Sequence, residues 1–197
     1  MTDPGRDAYF QALQSALIDA GVAGPTLVVD RARLDANIDT LMGDLPEGMG
    51  YRIVTKSLPS PKLLAHVRER TGSDKLMTFN QPMLKALGEL MPDTDQLLGK
   101  PLPEAAVWAH LSQLPEPRQQ ALDRIQWLVD TPQRLAQYER LAEAFGVRLR
   151  ISLELDVGLH RGGFVTGRRL GEALERLGNS DRLMLSGFMG DEPHLAS

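Results

Sequence analysis

Residues 125–157 read IQWLVDTPQRLAQYERLAEAFGVRLRISLELDV, and this stretch decides the fold class. It opens with a short apolar run, Ile125–Asp130, which is typical of a strand. Thr131 and Pro132 then supply an N-cap and a proline at the first helical position. A second apolar run, Arg148–Val157, follows the helical pattern. Two strands that are joined by a helix pair in parallel, because parallel neighbours require a crossover connection.

The same alternation runs along the whole chain and predicts seven strands. They cover Thr26–Asp30, Tyr51–Thr55, Lys75–Phe79, Gln96–Gly99, Ile125–Asp130, Arg148–Val157 and Leu183–Phe188. Strict alternation with helices is compatible with a doubly wound sheet or with a parallel (β/α) barrel. No Gly-x-Gly-x-x-Gly motif follows the first run, which weakens the dinucleotide-binding version of the doubly wound sheet.

The chain is one unit short of a complete barrel. A complete barrel has eight β/α units and about 250 residues, whereas this sequence has 197 residues. An open barrel would leave two unpaired strand edges, which folded proteins usually avoid. We therefore predict an α/β fold, a parallel (β/α) barrel with about seven of eight strands, and expect the chain to be truncated relative to its natural product. The predicted organisation is an N-terminal helix in residues 1–22 and the barrel in residues 23–197.

Composition narrows the class of protein. Apolar residues make up 42% of the chain and charged residues 24%, as in an ordinary globular protein. The net charge of -4 argues against a nucleic-acid binder. No apolar run reaches membrane-spanning length, and the first residues do not resemble a signal peptide. The chain has no cysteine, so disulfides, thiol nucleophiles and Cys-based zinc sites are excluded. A cytoplasmic protein with a small-molecule ligand is the expectation.

Lys56 is the first candidate for a chemical role. It follows the second predicted strand, in residues 52–61, RIVTKSLPSP. The carboxyl ends of barrel strands carry the active site, and a partly desolvated lysine there can form a Schiff base. The alternative is a solvated lysine whose stem lies over the barrel rim. Spacing alone leaves both interpretations open.

A second candidate site lies in residues 154–163, ELDVGLHRGG. Glu154 and Asp156 alternate with apolar residues, so both carboxylates should point to the same face of the sixth predicted strand. Buried carboxylates are costly unless they are paired, and Arg161 is the expected partner of both. The pair either only organises the loop or belongs to a functional site.

A third candidate, His194, follows the last predicted strand in residues 187–194, GFMGDEPH. A histidine there could stack on a cofactor ring or transfer protons near neutral pH. Alternatively, it is a loop histidine without a role. His66 and His110 lie within helical patterns and are expected at the surface. No two histidines have the i, i+4 spacing of a helical zinc site, so no metal site is predicted.

Taken together, these segments resemble the alanine racemase N-terminal domain superfamily, the fold type III pyridoxal-phosphate (PLP) enzymes. The branch that looks closest is the D-serine dehydratase/D-threonine aldolase group. The matching segments are 24–30 with Leu34 and Asn37-Ile38, then Arg52-x-x-x-Lys56, then Glu154-x-Asp156-x-Gly158-x-x-Arg161-x-Gly163, and finally 187–190 followed by His194. Three motifs in this order are far more specific than any one of them.

The resemblance implies a set of site residues. Lys56 would bind the cofactor covalently, and Lys56 and His194 would be catalytic. Arg161 would lie near the cofactor's phenolic oxygen, and Arg52, Asp156 and His194 would complete the cofactor site. Many relatives have tyrosine where Asp191 stands, so the contacts of that side chain do not carry over.

The resemblance also implies a function. The parent protein would be a PLP-dependent enzyme that acts at the α-carbon of a D- or L-amino acid, as a racemase, dehydratase or aldolase, and would form a homodimer. Relatives continue into an eighth strand and a β domain, so we expect residues 1–197 alone to be inactive. The alternatives are a non-catalytic PLP-binding homeostasis protein and a barrel remnant that binds nothing.

Overall fold

The computed structural model describes residues 4–57 and 59–193. Eight helices and six strands lie within these ranges. The helices are α1 (Pro4–Asp19), α2 (Arg31–Asp44), α3 (Pro61–Thr71), α4 (Gln81–Leu90), α5 (Glu104–Gln113), α6 (Gln119–Leu122), α7 (Pro132–Phe145) and α8 (Arg168–Gly178). The strands are β1 (Ile53–Val54), β2 (Lys75–Thr78), β3 (Asp95–Leu98), β4 (Ile125–Val129), β5 (Leu149–Leu155) and β6 (Leu183–Gly190).

The six strands form one parallel sheet in sequence order, β1-β2-β3-β4-β5-β6. Each strand pairs with the next one in the chain, which is the order of a barrel wall and not of a doubly wound sheet. Because every strand is parallel, all carboxyl ends lie at one end of the sheet. The prediction of a parallel barrel that is incomplete is confirmed.

The first predicted strand, Thr26–Asp30, is wrong. The structure assigns no strand to these residues, and Leu27 is 78% exposed. Leu27, Val28 and Val29 favour extended backbone, but a strand also needs a neighbour that supplies ladder hydrogen bonds and covers one face. Its last residue instead caps α2, because the Asp30 carboxylate accepts a hydrogen bond from the backbone N–H of Arg33 at 3.1 Å.

The chain divides into two compact units between Asp44 and Leu45. In the first unit, the Tyr9 hydroxyl donates a hydrogen bond to Asp30 at 2.9 Å, and the Arg33 guanidinium lies 3.5 Å from the centre of the Tyr9 ring. The N–H of Arg33 and the Tyr9 hydroxyl hold the pKa of Asp30 below its usual range. The second unit contains the sheet. The predicted division into residues 1–22 and 23–197 stays a prediction.

The core of the second unit lies between the sheet and its helices. Trp127 on β4 and Tyr138 on α7 are fully buried, and their rings meet edge to face at 6.1 Å. The Tyr138 hydroxyl donates to the carbonyl of Leu102 at 2.8 Å and accepts from its N–H at 3.0 Å. Thr131 caps α7 through the N–H of Arg134, as its sequence predicts. This packing fixes β4, and with it the neighbouring strand ends, against the helices.

His110 is buried in this core, so the expected surface position is wrong. It is 3% exposed, and its ring lies 5.7 Å from that of Trp127. Its helix α5 packs this face against the sheet, whereas the helical pattern alone gave no strong apolar stripe. Burial, with a smaller contribution from the charge of Lys85, lowers the pKa of His110 from 6.5 to about 4.

The buried histidine predicts a loss of stability in mild acid. Between pH 6.5 and pH 4 the unfolded chain binds a proton at His110 that the folded chain does not, so the free energy of unfolding falls as pH falls. We expect His110 to lower the free energy of unfolding by about 2 kcal/mol as the pH falls from about 7 to about 5. Urea unfolding of the wild type and of His110→Gln at both pH values isolates the contribution. An equal pH dependence in the two proteins would contradict it.

Candidate active site

Lys56 lies at the carboxyl end of the sheet. It follows β1 by two residues, and its side chain is exposed. The Lys56 Nζ lies 4.4 Å from the centre of the Phe79 ring, which follows β2 directly. A cation over an aromatic face is attracted by the ring quadrupole, so this contact favours one position of the amine. The ring also covers one side of Nζ.

The Phe79 ring fits there because residue 99 is glycine. A Cβ atom on Gly99 would lie 2.5 Å from Phe79 Cε1, 2.7 Å from Cζ and 2.9 Å from Met77 Cγ. Gly99 and Phe79 directly follow β3 and β2, and Lys56 follows β1 by two residues. These contacts therefore join the carboxyl ends of three neighbouring strands. Sequence reasoning missed Phe79 and Gly99, although both stood at the ends of predicted strands.

Lys56 is singled out among the lysines of the chain. There are five: Lys56, Lys62, Lys75, Lys85 and Lys100. Lys62 and Lys85 lie on helices, and Lys75 begins a strand at the opposite end of the sheet. Lys100 also follows a strand, but it comes directly after Gly99. Because side chains alternate between the two faces of a sheet, we assign Lys100 to the face opposite that of residue 99. The Phe79 ring lies where a Cβ of residue 99 would be and contacts Lys56, so we assign Lys56 to the face that carries the ring.

Arg161 lies at the same end of the sheet, in the loop after β5. Its guanidinium donates to Glu154 Oε1 at 3.1 Å and also forms an ion pair with Asp191, which follows β6. Glu154 is 4% exposed, so the arginine neutralises a buried carboxylate. Burial alone would lower the pKa of Arg161, but the hydrogen bonds with Glu154 and Asp191 outweigh it and raise that pKa. Arg161 is a fixed cation.

Gly163 brings the Arg161 loop back across β5. The Phe164 N–H donates to the carbonyl of Glu154 at 2.7 Å, and the Asp156 N–H donates to the carbonyl of Phe164 at 3.0 Å. A Cβ atom on Gly163 would lie 2.8 Å from the Glu154 carbonyl oxygen, and its φ of 101° is one that L side chains rarely adopt. The position therefore requires glycine, as the glycines of the motif suggested.

Asp156 does not pair with Arg161, in contrast to the expectation. One carboxylate oxygen accepts from the N–H groups of Gly158 and His160 at 3.0 and 3.1 Å, and the other lies 2.9 Å from His160 Nδ1. The His160 ring and the Gly158 N–H hold the pKa of Asp156 below its usual range. Asp156 thus stabilises the loop, and Asp191, instead of Asp156, pairs with Arg161.

Arg52 is not brought to this end of the sheet. It precedes β1, and its guanidinium donates to Asp95 Oδ1 at 2.7 Å at the start of β3. Arg150 and Gln126 contact the same carboxylate, at 2.9 and 2.7 Å. These residues lie at the amino ends of their strands. The structure gives Arg52 a place in an ion cluster of the barrel interior, away from Lys56.

His194 lies outside the described residues. Among the residues that the structure describes, no group of three or more His, Asp or Glu is arranged to hold a metal ion. None of the helices within these residues is both long and apolar enough to cross a membrane. Of the predicted site residues that the structure describes, Lys56, Asp156 and Arg161 lie at one end of the sheet and Arg52 lies at the other.

Comparisons with known proteins identify the family and agree with the fold. Residues 29–196 match the family described as alanine racemase, N-terminal domain. The comparison with curated protein sequences gives no match. The chain belongs to the alanine racemase N-terminal domain family, and the family expected from the motifs is confirmed.

Several solved structures have the same fold, and three of them are compared with this chain. Alanine racemase from Clostridium difficile in complex with cycloserine is 14% identical, with a TM-score of 0.65, over 85% of this chain and 46% of that one. D-threonine aldolase from Filomicrobium marinum is 20% identical, with a TM-score of 0.69, over 85% and 44%. PipY of Synechococcus elongatus, with PLP bound, is 17% identical, with a TM-score of 0.60, over 81% and 71%. This chain spans about half the length of the racemase.

Proposed function

We propose that this chain is the PLP-binding barrel of an enzyme that acts at the α-carbon of an amino acid, with Lys56 as the residue that holds the cofactor. The observation that carries the proposal is the Lys56 amine at the carboxyl end of β1, 4.4 Å from an aromatic ring. A primary amine is the group that an aldehyde cofactor requires. Membership of the alanine racemase N-terminal domain family and the PLP in PipY support the same cofactor.

The other residues at this end of the sheet fit such a cofactor. The Phe79 ring offers an apolar face for a flat heterocycle. Because Gly99 has no side chain, it leaves the space that this ring occupies. Arg161 supplies a permanent positive charge for an anionic or phenolic oxygen, because Glu154 and Asp191 raise its pKa. The guanidinium has five N–H donors, more than its two carboxylate contacts use.

The proposed chemistry assigns different tasks to Lys56 and Arg161. When bound, PLP supplies an electron sink for the carbanion that forms when a bond at the α-carbon breaks. Lys56 would hold or accept a proton at Nζ on one face of the substrate. Arg161 keeps its proton throughout and orients an oxygen. Phe79 excludes water from one side of Nζ.

A second candidate is a PLP-binding protein that does not convert amino acids. The observation that favours it is the likeness of the fold to PipY, whose solved structure holds PLP. Racemase, dehydratase and aldolase activity, the cytoplasmic location and the homodimer stay predictions for this chain. The amino-acid substrate, its D or L configuration included, is likewise part of the proposal.

An isotope experiment tests the proposal. The full-length protein that contains residues 1–197 is saturated with PLP and incubated with D- and L-amino acids in D2O. We expect one of three products: an α-deuterated amino acid from racemisation, a keto acid with ammonia from β-elimination, or an aldehyde from retro-aldol cleavage. A protein that holds PLP with none of these products supports the second candidate. A protein that does not bind PLP contradicts both.

A further inference from the structure

A cavity of about 450 Å³ lies on the helix-covered side of the sheet, away from Lys56. Its walls come from α4, α5, the connection 114–117 and α6, and from the first residues of β3 and β4. Lys56 follows the carboxyl end of β1, whereas this cavity opens beside residues that precede β3 and β4. The cavity is therefore separate from the candidate active site.

The chemistry of the walls is that of a small-molecule site. Leu84, Leu114 and Ile125 give apolar surface, and the charged side chains of the lining, Lys85, Glu89, Glu116 and Arg124, are all exposed. The charges thus lie toward solvent, and the buried part of the lining is uncharged. Cavities of about 300–1,000 Å³ with apolar walls and a few placed polar groups are typical ligand sites.

Two buried polar atoms in the lining have no hydrogen-bond partner. They are His110 Nε2 and Gln96 Oε1, and each residue is 3% exposed. Buried polar groups are hydrogen-bonded in the great majority of cases, so two unpartnered atoms in the lining of one cavity need an explanation. The terminal torsion of glutamine and the ring torsion of histidine are soft, so both groups can turn toward a guest molecule.

We propose that this cavity binds a small uncharged molecule that donates an N–H or O–H to Gln96 Oε1 and forms a second hydrogen bond with His110 Nε2. A primary aromatic amide has this chemistry, since its N–H₂ and C=O groups can serve the two atoms while the ring contacts the apolar walls. His110 suits either role at Nε2, because neutral imidazole donates from one nitrogen and accepts at the other.

The ligand is uncharged because the buried part of the cavity offers no opposite charge. The low pKa of His110, about 4, keeps its ring neutral at physiological pH. An ionised ligand would lose its hydration without an ion pair in return. A purely apolar ligand would leave both polar atoms without partners. The site therefore discriminates by hydrogen bonding and by charge at once.

Benzamide is the probe for the test, with benzoate and toluene as charged and apolar counterparts of the same shape. The imidazole signal of His110 is followed by NMR and identified by its absence from the spectrum of His110→Gln. We expect benzamide to shift this signal saturably, with a Kd of about 1 mM. We expect benzoate and toluene to bind about ten-fold more weakly or not at all.

Gln96→Met removes the acceptor at nearly constant volume, and Gln133→Met, at an exposed position of α7, is the matched control. We expect benzamide affinity to fall about ten-fold in the first variant and to stay unchanged in the second. Lys56→Ala should leave it unchanged, which separates this site from the proposed PLP site. An unmoved His110 signal, as when water alone fills the cavity, or equal binding of the three probes to the wild type overturns the proposal.

Discussion

We expect Lys56→Ala to abolish the covalent adduct between the protein and PLP. An imine to PLP needs a primary amine at the site, and alanine removes it. The wild type, reduced with borohydride after incubation with PLP, should gain the mass of one reduced cofactor on the peptide that contains Lys56, and the variant should gain none there. The free energy of unfolding should change by less than about 0.5 kcal/mol, because the side chain is exposed.

Lys100→Ala is the matched control. Lys100 also follows a strand at the carboxyl end of the sheet, directly after Gly99, so it is equally near the rim. We expect this variant to retain the adduct on Lys56 at the stoichiometry of the wild type. An adduct that persists in Lys56→Ala at unchanged stoichiometry would show that another lysine holds the cofactor, and loss of the adduct in both variants would show that the assignment is not specific.

The position of Lys56 was predictable, and that of its neighbours was not. A lysine directly after an apolar strand must lie at one end of a parallel sheet, which follows from chain order alone. That the Phe79 ring would meet Lys56, and that Gly99 would leave it room, depends on contacts between three different strands. Patterns within one strand carry no information about such distances.

The loop after β5 shows the same limit for charges. The cost of an unpaired buried carboxylate correctly predicts that Glu154 pairs with Arg161. The same prediction fails for Asp156, because the strand ends one residue earlier and local backbone N–H groups and His160 take its carboxylate. Asp191, thirty positions beyond Arg161 in the chain, replaces it. The resemblance gave no guide here, since many relatives carry tyrosine at that position.

Two further misses have tertiary causes. The apolar run Thr26–Asp30 has the composition of a strand, but composition forms a strand only where a neighbouring strand is available. His110 lies in a helix whose apolar positions do not form one clear stripe, so its burial could not be inferred from periodicity. In both cases the local sequence correctly indicated the backbone conformation but carried no information about the neighbouring elements.

Gly163→Ala is expected to lower the free energy of unfolding by at least about 2 kcal/mol. The φ of 101° is strained for any L side chain, and the new Cβ would overlap the backbone at Glu154 and Leu155, in the last two residues of β5, and at Asp156 directly after it. The next residue, Phe164, is 3% exposed and belongs to the main core, so the loop cannot shift outward without moving a buried ring. Urea unfolding at constant pH measures the change.

Gly162→Ala is the control for this substitution, because it alters the adjacent residue in the same loop. A Cβ atom on Gly162 would meet nothing within 4 Å, and its φ is not in the left-handed region. We expect a change within about 0.5 kcal/mol, because the substitution creates neither overlap nor strain. Gly163→Ala should also weaken PLP binding relative to Gly162→Ala, because strain at Gly163 moves Arg161 away from Glu154. Equal stabilities of the two variants would mean that the loop does not cross β5 as the structure describes, and the anchoring of Arg161 would have to be explained in another way.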